Sequence, residues 1–201
     1  MPAALTERPS PPAVQYPPRK RWTRAECDRL EALGVFDQQH LELIEGELID
    51  KKGKHRPHVN AATLLFGWLI QVFGLRFVNS EAPIDVAPED NPTSQPEPDL
   101  IVLNGNYSEF RSANPQPRDL DLVVEVADTS LQFDLTVKAA LYSRAGIVEY
   151  WILDVASQRL IVHLDPQDGQ YASVIAYGRD ESVSPLASPN ASFLIRSVFP
   201  D

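Results

Sequence analysis

Apolar and polar positions alternate with different periods along this chain, and each change of period marks an element. Residues 1–18 show almost no apolar periodicity and carry six of the 18 prolines. Such a stretch has too little apolar surface to order itself, so it reads as a disordered or extended leader. Folding is expected to begin near Trp22, within one domain over residues 19–201. Thr23 and Glu26 have the spacing of a capping box, which predicts a short helix through Cys27, Leu30 and Leu33, closed by Gly34. Residues 41–49 read as one strand or a tight hairpin. Leu41, Leu43 and Glu45 share a face there, and Gly46 marks a bend. The clearest helix covers residues 58–73, with Pro57 in its first turn and Gly74 as its cap. Val59, Ala62, Leu65, Phe66, Leu69, Val72 and Phe73 form its apolar stripe.

The period then shortens. Residues 76–79, 82–86, 99–103 and 120–126 are short runs rich in Val, Ile and Leu, and are expected as strands. The proline-rich stretch 88–98 between them must be loop, because proline cannot donate to a ladder. A second helix is expected over 131–145, closed by Gly146. Strands return at 148–155, 159–164 and 171–177, and no internal repeat is visible. The order predicts a mixed α/β (α+β) domain built around one central sheet flanked by helices.

Composition adds limits rather than a function. At 201 residues, 43% hydrophobic and 23% charged, the chain suits one domain with a substantial core. The single cysteine, Cys27, excludes an internal disulfide framework, so a reducing cytoplasm is expected. No run is long enough to span a membrane, and the start lacks a signal-peptide pattern. The formal net charge of -10 runs against a plain electrostatic grip on a phosphate backbone. Acids clustered at a cation site would resolve the conflict, and so would basic residues gathered on one face. Arg19, Lys20, Arg21 and Arg24, then Lys51, Lys52, Lys54 and Arg56, are the candidates, with ordinary solvated segments as the other reading. His40, His55 and His163 have no metal-ligand spacing with Cys27, which argues against zinc.

One residue stands out on physics alone. Glu125 lies inside Leu122-Val123-Val124-Glu125-Val126-Ala127, and a carboxylate buried among such neighbours is costly unless it is paired or metal-bound. Asp99 stands at the mouth of another apolar run, directly after Pro98. In the following helix Asp134, Lys138 and Tyr142 recur every four residues and share one face. Two acids on adjacent strands with a lysine overhead would make a phosphodiester site. The carboxylates would hold Mg²⁺ or Mn²⁺ and the lysine would assist the attacking water. The alternatives are a Glu125 merely paired with Arg or Lys or lying at a strand end that reaches solvent, and an exposed Asp134–Lys138 helix pair. Spacing leaves them open.

Pro98-Asp99, Glu125-Val126, Asp134 to Lys138 and the run from Leu141-Tyr142 through Gly146 and Glu149-Tyr150-Trp151 to Asp154 resemble the Uma2 family. That family belongs to the PD-(D/E)XK restriction-endonuclease-like superfamily. Leu43 to Ile49 and His58 at a helix start resemble its N-terminal signature, and the likeness covers residues 22–175. It implies a restriction-endonuclease-like sheet flanked by helices, with Asp99 and Glu125 as metal ligands. The residue two after Glu125 is Ala127 rather than lysine, and the likeness puts Lys138 in that role. Glu45 and His58 are further candidates, the first as a third acid, the second facing a phosphate or metal-bound water. A solvated bend residue and a capping histidine are their plain readings. The activity expected is a metal-dependent endonuclease acting on DNA, with RNA also open, and a homodimer is expected by family analogy. The competing expectation is an inactive binding or assembly module on the same fold.

Overall fold

The structure is a computed structural model that describes residues 17–37, 39–51 and 54–199. Residues 1–16 of the expected leader, and Lys52 of the second basic run, lie outside the described residues. Helix α1 (Arg24–Ala32) starts at Thr23, whose side chain and that of Glu26 cap each other's backbone as the spacing predicts. Residues 41–49 form a hairpin of β1 (Leu41–Ile44) and β2 (Glu47–Asp50). Its two turn residues, Glu45 and Gly46, both have positive φ, 49° and 79°, which suits a two-residue hairpin turn. Gly46 is required twice over, since a Cβ there would come within 2.8 Å of Arg21 Cβ.

Helix α2 (Arg56–Phe73) follows, then β3 (Val78–Ser80), β4 (Leu100–Leu103) and β5 (Leu120–Ala127). The expected strand at 82–86 is absent. That stretch, which contains Pro83 and is soon followed by Pro88, instead donates Ile84 N to Pro96 O and Asp85 N to Pro115 O. After β5 come α3 (Leu131–Phe133), a π-helical turn at Asp134–Lys138, and α4 (Ala139–Arg144). The expected single helix is therefore interrupted. Strands β6 (Glu149–Asp154), β7 (Arg159–Gln167) and β8 (Gln170–Tyr177) complete one six-stranded sheet, ordered β3-β4-β5-β6-β7-β8. Only β5 and β6 run parallel; α3 to α4 forms the crossover that such a pair needs. A small pair, β9 (Ser182–Val183) and β10 (Phe193–Leu194), closes the chain.

Alternation along the strands divides the core in two. Leu122, Val124 and Val126 face Leu65 and Leu69 of α2, with Phe193 and Ile195 behind them. Val123 and Ala127 face the other way, toward Leu141 and Tyr142 of α4 and Ile44 of the hairpin. Glu125 lies on this second face, between two layers of apolar side chains, and is 4% exposed. No described helix is long and apolar enough to cross a membrane.

Candidate active site

The two suspected acids come from adjacent antiparallel strands. The β4–β5 ladder ends at the pair Leu100–Val124, and one step further on stand Asp99 and Glu125. With the ladder finished, the next amide of β5 needs another partner, and Val126 N donates to Asp99 Oδ2 at 2.7 Å. Asp99 thus replaces a strand as the acceptor. Its Oδ1 takes a 2.7 Å hydrogen bond from Lys54 Nζ, which also pairs with Glu81. His58 Nε2, in the first turn of α2, lies 3.4 Å from Asp99 Oδ2. Burial works against the charge on Asp99, but His58 and Lys54 outweigh it and hold the carboxyl well below the usual range.

Glu125 has the opposite environment. Burial pushes its carboxyl up to about 8; Lys138 opposes the shift, and Asp99, Asp134 and Glu42 add to it. Glu125 Oε1 accepts from Lys138 Nζ at 2.8 Å and from the Tyr142 hydroxyl at 2.9 Å. Lys138 is 3% exposed, so the exposed Asp134–Lys138 pair is excluded. Burial disfavours the Lys138 charge, yet Glu125, Glu42 and Asp134 raise its pKa above the ordinary lysine value.

The π turn sets this arrangement. In it Ala139 N, rather than Lys138 N, donates to Asp134 O, and the Tyr150 hydroxyl of β6 donates to the same oxygen at 3.2 Å. The wider turn keeps Asp134 and Lys138 both buried and turned toward the sheet. Asp134 accepts from Ser130 Oγ at 2.6 Å, and burial raises its carboxyl to about 6 despite Lys138 and Ser130.

These groups share one cavity of about 380 Å³. Asp99, Glu125, Lys138, His58 and Asp134 all line it, and Tyr142 reaches it through Glu125. Glu45 does not. As a turn residue it points to Arg144, 2.7 Å away on the outside of the molecule. The acid that the hairpin supplies is Glu42, 2% exposed, whose Oε1 lies 3.0 Å from Lys138 Nζ and accepts from Glu97 N at 2.8 Å. A sequence signal existed, because Glu42 shares its face with Ile44, one of the most buried apolar residues. Lys54 was legible only as part of a basic run. That run and the earlier one separate here. Lys51 and Lys54 line the cavity, whereas Arg24 pairs with Asp85 at 2.7 Å and Lys20 with Glu26.

The family model described as "Putative restriction endonuclease", Uma2, matches residues 25–196. The chain belongs to the Uma2 family. No curated protein matches. Among solved structures, a crystal structure of "a putative nuclease belonging to DUF820" from Anabaena variabilis ATCC 29413 is similar to this Uma2 chain, with a TM-score of 0.67 and 17% identity. The match covers 88% of this chain and 97% of that one, and it shows a shared fold.

Proposed function

We propose that this Uma2 protein is a metal-dependent phosphodiester hydrolase acting as an endonuclease on DNA. The observation that carries the reading is the convergence of Asp99, Glu125 and Lys138 on one cavity from two adjacent strands and the helix that follows them. Among the described residues no three Asp, Glu, His or Cys side chains are grouped closely enough to enclose a metal. Two hard carboxylates with water filling the remaining positions is, however, a usual way to hold Mg²⁺ or Mn²⁺. The charges fit as well. Glu42, Asp50, Asp99, Glu125, Asp128 and Asp134 outnumber Lys51, Lys54 and Lys138 around the cavity, and Asp99, Asp134 and Glu42 add to the upward shift that burial imposes on Glu125.

Asp99 and Glu125 would hold the ion, which when bound supplies a polarised water and neutralises charge growing on the phosphate. Lys138 has three donors, one of them given to Glu125, with Glu42 held as an ion pair 3.0 Å away, so donor capacity remains for a water or a phosphate oxygen. Tyr142 and Glu42 keep that ammonium and Glu125 in place from either side. Lys51 and Lys54 at the cavity wall offer positive charge to a phosphate backbone, a local exception to the acidic balance.

The test is incubation of supercoiled plasmid DNA and a single-stranded RNA with purified protein and Mg²⁺ or Mn²⁺, beside a Glu125→Ala control. Cleavage lost in the control supports the reading, and identical digestion by both proteins, or none by either, sinks it. The second reading, a binding module without turnover, is favoured by one observation: both oxygens of Asp99 already have partners within the chain. Calorimetric titration with Mn²⁺ separates the two, because only the hydrolase requires binding that Asp99→Ala and Glu125→Ala abolish.

A further inference from the structure

A second cavity, of about 190 Å³, adjoins the first. Lys54, His58 and Asp99 line both, so a group held in one lies beside a group held in the other. The remaining walls differ in kind. Val59, Ala62 and Phe66 of α2 and Leu100 of β4 make the second recess largely apolar, with Phe66 supplying a phenyl ring. Thr63, Ser80 and Glu81 add polar groups to its lining. The metal and phosphate chemistry of the first cavity leaves this space unused.

Charge disfavours a second phosphate here. Glu81 and Asp99 share a single ammonium, Lys54, which pairs with both. A neutral group with an apolar body suits the recess better, and the polar lining asks that group to donate. Thr63 gives its hydroxyl proton to Val59 O at 2.8 Å, which leaves its oxygen only lone pairs to offer. Lys54 binds Oε1 of Glu81 and holds that carboxyl below its ordinary range, while Oε2 has no protein partner among the described residues. Glu81 is also fixed in place. Its φ is +52°, a conformation that side-chain-bearing residues rarely adopt, and its amide donates to Pro98 O and Asp99 O at 3.1 and 3.2 Å. Such strain persists only where neighbours enforce it, and it gathers at ligand sites.

We propose that the second cavity takes one unstacked nucleobase bearing an exocyclic amine, from the nucleotide next to a phosphate in the first cavity. The proposal rests on the nuclease reading for that phosphate alone and needs no turnover. An amine donates where the recess accepts, and a carboxylate such as Glu81 is the kind of group that takes the N4 amine of cytosine. Uracil has the same ring with an oxygen at that position, which would face the carboxylate without a proton between them. A base stacked within a duplex cannot enter a side recess, so the strand is single or its base is turned out of the stack. The apolar walls and the Phe66 ring supply the part of the binding that every base shares.

Fluorescence anisotropy on the full chain tests it, with labelled short single strands of deoxycytidine or deoxyuridine at one fixed salt concentration. Ca²⁺ replaces Mg²⁺, and a gel checks that the strands stay intact. The deoxycytidine strand is expected to bind about tenfold more tightly. Glu81→Gln, whose amide donates as well as accepts, removes most of that preference. Thr63→Trp fills the recess from an exposed helix position, weakens both strands and removes the preference, with unchanged far-UV circular dichroism. Equal affinity in the wild type, a preference that survives either variant, or no binding of either strand overturns the proposal. The plasmid assay judges the hydrolase reading separately. Cleavage lost in Glu125→Ala but no base preference sinks the base recess alone, whereas a preference without cleavage keeps the recess and sinks the hydrolase.

Discussion

Lys138→Met isolates the electrostatic centre of the site. The side chain keeps most of its length and loses its charge, leaving Glu42 and Glu125 facing each other with no cation between them. Both acids are under 5% exposed, and the ammonium lies 3.0 Å from one and 2.8 Å from the other. At an effective dielectric constant of about 20, each contact represents about 6 kcal/mol of attraction. Most of that is offset by the desolvation of three charged groups, so the loss on breaking the network is expected near 3–5 kcal/mol. Against a domain stability of roughly 5–15 kcal/mol the variant should still fold, with a visibly lower midpoint. Equilibrium unfolding in urea at pH 9, above the raised carboxyl of Glu125, measures it, and the partner is identified by a cycle with Glu42→Gln. If Glu42 shares Lys138, the double variant is more stable than the sum of the two losses predicts, by about 1–3 kcal/mol. A loss under about 1 kcal/mol for Lys138→Met, or strict additivity with Glu42→Gln, would refute the buried three-group network.

Glu149 should make stability depend on pH. Burial pushes its carboxyl up to about 7, with bonds from Leu186 N and Trp151 Nε1 only partly opposing the shift. A carboxyl raised above its unfolded value near 4.5 keeps its proton longer in the folded state, so stability falls as pH rises between these values. The shift corresponds to a loss of up to about 3 kcal/mol, and Glu149→Gln removes it; an unchanged slope in that variant contradicts the assignment. Glu45→Ala should lower stability by no more than about 1 kcal/mol and leave Mn²⁺ binding and DNA cleavage as they are, since its half-exposed pair with Arg144 is screened by solvent. Loss of either function in that variant would return the hairpin's acid to Glu45.

Much of the fold was readable residue by residue, because caps and apolar periods are local properties. Thr23 and Glu26 placed α1, and Pro57 and Gly74 bracketed α2. Strands β4 to β7 came from short runs rich in Val, Ile and Leu, and β8 from a run between turn-like segments. The missed elements share a cause. Residues 82–86 have strand-like side chains, but their amides are taken by Pro96 and Pro115 carbonyls, distant in sequence. The π turn depends on the Tyr150 hydroxyl and Asp134 O meeting across the fold. Neither contact has a local pattern.

The site divides along the same line. By itself the sequence marked Glu125 as an acid in need of an explanation, since an apolar run surrounds it on both sides. Only the tertiary structure decided which groups keep it company. In a hairpin the side-chain period is two, so the position of the turn decides which acid faces inward. The turn at Glu45 and Gly46 sends Glu45 out to Arg144 and brings Glu42 onto Lys138. Lys54 reached Asp99 across 45 residues of chain by the same kind of long-range choice. A buried charge announces in sequence that it needs a partner, and packing alone chooses which.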